Sequence, residues 1–163
     1  MTVVSLTSLT RISDLATNPY DIGPIARDHW SSGDYVAGEI TGTSHRVYGL
    51  ELASGRMVQA LPGDHVIGAF GNRAATLEGV GSWAEIQGNS MHAMTSAGLF
   101  GAVTSMSLLI PPTLGLTYLG HVVRNGTKVT MSDFAIKSDN SEFNIPTVLL
   151  VGTSMSAGKT TTG

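Results

Sequence analysis

Between Ser5 and Thr17 the apolar residues Leu6, Leu9, Ile12 and Leu15 recur at intervals near three, and Asn18-Pro19 closes the pattern. That spacing predicts a short opening helix. Residues 18–34 then carry Pro19, Gly23, Pro24, Ser31, Ser32 and Gly33, turn chemistry with Trp30 as an anchor. From Gly33 onward the pattern shortens into apolar runs punctuated by Gly-Asp, Ser-Gly and Pro-Gly pairs. Strands are expected over Tyr35–Ile40, Val47–Leu52, Met57–Leu61, Val66–Phe70 and Ser82–Ile86. Ser90–Phe100, rich in Met, Ala and Gly, fits a helix or a loop equally well.

Two local signals are sharper. The hexapeptide Gly33-Asp34-Tyr35-Val36-Ala37-Gly38 returns 30 residues later as Gly63-Asp64-His65-Val66-Ile67-Gly68. The same turn is therefore expected to open two strands, with the aspartate bonding nearby amides and the second glycine permitting a sharp bend. Further on, Thr117–Arg124 and Thr127–Asp133 flank Asn125-Gly126, the dipeptide suited to a two-residue type I′ hairpin turn. Lys137–Asn144 is polar and reads as a linker, and Pro146–Val151 reads as a fully buried strand.

The expected fold is thus mainly β: a small β-barrel or sandwich N-terminal domain over residues 1–136, of about six to eight short strands with one or two short helices. A linker over 137–145 follows, then the start of a second domain over 146–163.

That last segment carries the recognisable chemistry. Its apolar strand runs into Gly152-Thr153-Ser154-Met155-Ser156-Ala157-Gly158-Lys159-Thr160-Thr161. A strand followed by a glycine-bounded loop ending Gly-Lys-Thr is the context of a phosphate-binding loop: amides hold phosphate oxygens, the lysine neutralises charge and the next hydroxyl reaches magnesium. The motif resembles the P-loop (Walker A) of dethiobiotin synthetase and its relatives among the P-loop NTPases, over about Thr147–Thr161 only; Ser154 and Ser156 stand where members often carry an acidic residue. The resemblance implies nucleotide binding through Gly152, Thr153, Gly158, Lys159, Thr160 and Thr161, with Thr160 on Mg2+ and ATP and Mg2+ as cofactors of the complete protein. Only four residues follow Lys159. The expectation is therefore the first strand and P-loop of an incomplete α/β NTPase domain, in a fragment that by itself lacks a full nucleotide site, binds no cofactor and has no catalytic residue.

Charge and composition narrow the rest. Nine Lys plus Arg stand against 12 Asp plus Glu, and 13% of residues are charged, about half the usual share of about 25%. No basic stripe exists, so a nucleic-acid partner is not expected. The low charge points instead to an extensive interface, hence a homo-oligomer, with a small molecule or a protein as further partner. The chain has no cysteine, which removes disulfides, thiol nucleophiles and thiolate metal sites. Met1–Thr10 lacks a basic n-region, and with the missing cysteines this fits a cytoplasmic protein. Ile86–Val123 holds no Asp, Glu, Lys or Arg, but Pro111-Pro112 closes its most apolar run, which fits core or interface and not a membrane span.

Other candidates are weaker. Gly68–Thr76 forms a second glycine-rich loop in which Gly71 and Arg73, with His65 nearby, are candidate ligand residues, since a guanidinium forks onto phosphate or carboxylate. His29, His45, His65, His92 and His121 show no metal-ligand spacing. Asp34 and Asp64 could be paired acid–base carboxylates, but their shared turn context favours a turn role. The functional expectation is an accessory, regulatory or ligand-binding domain of an ATP-binding P-loop NTPase. Its alternative is a homo-oligomerisation module without catalytic activity, and the weakest reading is an enzyme built around Arg73 and His65.

Overall fold

The computed structural model describes residues 4–42, 49–75, 78–137, 144–152 and 158–162. Its strands are β1 (Val4–Leu6), β2 (Asp21–Gly23), β3 (Tyr35–Ile40), β4 (Leu50–Glu51), β5 (Met57–Val58), β6 (His65–Phe70), β7 (Asn72–Ala75), β8 (Gly79–Ser82), β9 (Ser90–Ala93), β10 (Leu99–Met106), β11 (Leu114–Arg124) and β12 (Thr127–Lys128). The order across the main sheet is β1-β6-β3-β11-β9-β10-β8-β7, and β10 also pairs with β6. The fold is mainly β, and β6, β3, β11, β9 and β10 close a ring of pairings. This ring is not the barrel expected: β10 meets β6 only through Leu99↔Ala69 and Phe100↔Phe70, too short a ladder for a continuous wall.

The repeated hexapeptide builds the centre. Strands β3 and β6 pair antiparallel from Tyr35↔Ala69 to Glu39↔His65, and the equivalent residues Ala37 and Ile67 face each other. The pair is therefore related by a local two-fold axis. Ile40 N donates to Asp64 O and Gly63 N to Ile40 O, both at 2.9 Å; the mirrored bonds run from Phe70 N to Asp34 O (2.9 Å) and Gly33 N to Phe70 O (2.8 Å). Gly33 and Gly63 share φ near +87°, the left-handed turn that glycine tolerates.

Both faces of this pair are buried. Val36, Ile40, Val66 and Phe70 join Met91, Phe100, Leu114 and Leu116 in one core. Tyr35, Ala37, Ile67 and Ala69 join Leu15, Val122 and Val129 in the other. Burial on two sides explains why β3 and β6 read as continuous apolar runs without alternation.

The hairpin forms as expected, with Asn125 at φ +50° and Gly126 at φ +78°. Its second strand stops at Lys128. Thr130 then bridges to Asp34, and a 3-10 turn, Met131–Phe134, carries a capping box between Thr130 and Asp133.

Several expectations are corrected. The opening helix is instead β1, paired parallel to β6, followed by a 3-10 turn at Ser8–Thr10. Parallel pairing satisfies the backbone there, which local spacing could not foresee. Ser82–Ile86 is a 3-10 turn at Trp83–Glu85, where Ser82 Oγ accepts from Ala84 N, and the strand lies just before it. Within Ser90–Phe100 lies β9, neither helix nor loop, held between β10 and β11. Val47 falls outside the described residues, and β4 and β5 are two residues each. Pro146–Val151 is neither strand nor buried: Val148 is 88% exposed and Leu149 and Val151 are each 81% exposed, because no described strand pairs with them. Lys159–Thr162 makes one helical turn. No described helix is long and apolar enough to cross a membrane.

Candidate acid–base site

The first Gly-Asp turn does more than its repeat. Asp64 Oδ2 accepts from Leu61 N at 2.8 Å, and Asp34 Oδ2 accepts from Ser31 N at the same distance. Asp34 is fully buried and also receives Ser31 Oγ at 2.8 Å, Lys128 Nζ at 2.9 Å and His121 Nε2 at 3.1 Å. Lys128 Nζ donates further to His29 O (2.6 Å) and Ser31 Oγ (2.7 Å). Burial pushes the Asp34 carboxyl up, but hydrogen bonds from His121, Lys128 and Ser31 outweigh it and hold the group below the ordinary carboxylate range.

His121, also fully buried, continues the chain: its Nδ1 lies 2.6 Å from the Tyr118 hydroxyl. An ionised carboxylate has no proton to give, so Nε2 carries the hydrogen toward Asp34, and in the neutral ring Nδ1 accepts the Tyr118 O–H. Burial pushes the Tyr118 phenol up, partly offset by a backbone hydrogen bond at Ile25. The rings are enclosed by aromatic neighbours: Trp30 lies 4.6 Å from Tyr118 and 5.4 Å from His121 between centroids, and Phe70 meets His121 edge-on at 5.4 Å. Arg27 sits 4.3 Å above Trp30.

A β-bulge makes this alignment. In a regular strand residues three apart face opposite sides. The register of β11 on β3 slips between Tyr118↔Gly38 and Gly120↔Ala37, inserting Leu119. Leu114 and Leu116 face the first core before the bulge, whereas Val122 faces the second after it. Tyr118 and His121 thereby share a side.

The residues picked from sequence do not converge. His65 opens β6, with Nε2 4.0 Å from Glu39 Oε2, while Gly71 follows the end of that strand, about 20 Å away along an extended chain. Arg73, on β7, already bonds the Glu78 carboxylate and Met94 O, so its fork is occupied. It borders a cavity of about 20 Å3 with Leu50, Met94 and Leu114, room for little more than a water. Thr76 lies outside the described residues. A Cβ at Gly71 would press on the end of the partly buried Leu99 side chain.

In the C-terminal segment Gly152 is partly exposed, Gly158 has φ +79° and Lys159, Thr160 and Thr161 lie in the single helical turn. Thr153, Ser154 and Ser156 fall outside the described residues, as does His45. Among the described residues no three His, Cys, Asp or Glu side chains gather to hold a metal ion. Two hollows flank the β11–β12 hairpin: one of about 400 Å3 beside Tyr20, Asp21 and Asn125, another of about 310 Å3 beside Lys128, Asp133 and Phe134. Arg124, which borders both, is engaged by Asp14 at 2.6 and 3.0 Å and by Pro19 O at 3.0 Å.

Sequence reasoning missed Tyr118, His121, Ser31 and Lys128 as a group. Comparison with protein families, with curated proteins and with solved structures finds no match to this chain.

Proposed function

We propose that residues 1–136 are the β-rich accessory domain of an ATP-binding P-loop NTPase, and that residues 146–163 contribute the first strand and phosphate loop of its catalytic domain. The observation that carries this reading is the exposure of Val148, Leu149 and Val151 beside Gly158-Lys159-Thr160-Thr161. An apolar strand-forming run left in water is one that lacks its sheet, and the central strand of an α/β domain is such a run. Lys159 would meet the β and γ phosphates of ATP, Thr160 would ligate Mg2+, and the amides of Gly158 and Thr161 would complete the cradle. The accessory body would recognise a small molecule or protein and regulate that site.

Calorimetric titration of ATP and Mg2+ into the full-length natural protein and into its Lys159→Ala variant tests the reading. Saturable binding lost in the variant supports it; equal binding in both, or none in either, overturns it.

A second reading, homo-oligomerisation without catalysis, draws on Leu108 and Leu109, which stand fully in solvent in the turn between β10 and β11. Sedimentation that shows a monomer at all concentrations removes it.

A further inference from the structure

We propose that Tyr118, His121 and Asp34 form a nucleophilic triad within the β body, with the Tyr118 phenol attacking electrophiles that develop oxyanion charge at an acyl or sulfonyl centre.

Three independent observations support this assignment. The first is geometric. Nucleophile and base lie within hydrogen-bond reach at 2.6 Å, and a third group at 3.1 Å fixes the tautomer of the base. That is the arrangement by which a weak nucleophile is activated, with the proton leaving only as the new bond forms.

The second comes from the repeat. Among the described residues Asp64 closes the same turn as Asp34 with the amide bond from Leu61 and no histidine or lysine beside it. Among the described residues, His121 and Lys128 are additions to the first copy. Lys128 holds the negative charge of Asp34 in place, and Asp34 in turn steadies the imidazolium that appears during attack.

The third is the bulge at Leu119. It breaks the ladder of the longest strand, and its effect is to bring Tyr118 and His121 to one side. Bulges that re-aim a side chain are concentrated beside active sites.

The substrate class follows from the surroundings. Tyr118 is partly exposed, Trp30 supplies an apolar wall beside it, and the Arg27 guanidinium stacks on Trp30 while donating to Ile86 O and Gly88 O. The aromatic wall favours an aryl group on the electrophile, and the guanidinium one ring away adds positive charge near a centre on which negative charge grows. With an arylsulfonyl fluoride the step balances: the phenol oxygen bonds to sulfur as the Tyr118 proton moves to His121 Nδ1, the S–F bond breaks, and the departing fluoride takes that proton from Nδ1 and leaves as HF.

The test uses the whole chain. The protein is treated with an arylsulfonyl fluoride at neutral pH and the labelled tyrosines are mapped by peptide mass spectrometry. Tyr20 is the internal control, since it also is partly exposed and borders the 400 Å3 hollow; Tyr35 is fully buried and donates to Leu9 O. Labelling of Tyr118 is expected at least about tenfold faster than of Tyr20, slowed in D2O, and reduced by about 100-fold in folded His121→Gln, the scale of a general base. Equal rates at Tyr118 and Tyr20 in the unsubstituted protein overturn the proposal, whether or not the histidine variant folds. Undiminished labelling in a folded His121→Gln overturns it too.

Discussion

Replacing Asp34 by Asn removes one charge and almost no volume from the buried network. The amide can still accept at Oδ1, so the turn bond from Ser31 N or Oγ has a partner, but its NH2 now faces a donor, either His121 Nε2 or Lys128 Nζ. Removing one partner of a buried ion pair costs about 3–5 kcal/mol. Lys128 retains 24% side-chain exposure and can regain some water, which lowers the expected cost to about 2–4 kcal/mol. The repeat provides the control: Asp64→Asn alters the same turn without a histidine or lysine partner among the described residues and is expected to cost about 0.5 kcal/mol. Urea unfolding followed by Trp fluorescence separates the two, because an m-value near 2 kcal/mol/M turns the Asp34→Asn loss into a midpoint shift of about 1–2 M. The acid dependence adds a second criterion. The folded carboxyl lies below its unfolded value, so its stabilisation is fully present above about pH 4 and is lost as pH falls through the folded value. The gap between wild type and Asp34→Asn should therefore be constant near neutrality and close in acid. Equal costs for the two substitutions, or a gap that persists at low pH, would refute the reasoning.

Further predictions follow from the packing. Gly38 and Gly68 are equivalent in the repeat, yet an added Cβ meets the terminal methyl of Met91 at 2.6 Å and touches Leu116 at 3.4 Å in the first case, and presses on the Gly98 carbonyl oxygen and the Phe100 ring in the second. Gly68→Ala should destabilise far more than Gly38→Ala in thermal melts; comparable losses would show that the sheet gives way at both sites. Gly126→Ala meets no atom within 4 Å, so its cost is purely the left-handed backbone, about 1–2 kcal/mol, read by the same urea titration. Phe70→Ala empties a site packed on Trp30, Tyr118 and His121 and should cost about 3–5 kcal/mol and alter the Trp emission. His92, whose pKa burial lowers, takes the Val103 amide on Nδ1 at 3.4 Å; its NMR titration should fall below that of a free histidine, and a midpoint above it would contradict the burial.

The amino-acid sequence alone determined the elements whose cause is local. The doubled Gly-Asp motif placed the two turns and the strands Tyr35–Ile40 and, to within one residue, His65–Phe70, since only a left-handed glycine and a side-chain acceptor are needed there. Asn125-Gly126 placed the hairpin for the same reason. The mainly β character was equally legible in the short apolar runs between turn residues. Tertiary structure decided everything that needs a partner. A strand exists only if another lies beside it, which is why Ser90–Ala93 became a strand despite its composition and Pro146–Val151 did not despite its own. The site was hidden for a related reason. Tyr118 and His121 have opposite parity along the chain, and only the slip of β11 against β3, an outcome of register between segments about 80 residues apart, turned them to the same face above Asp34.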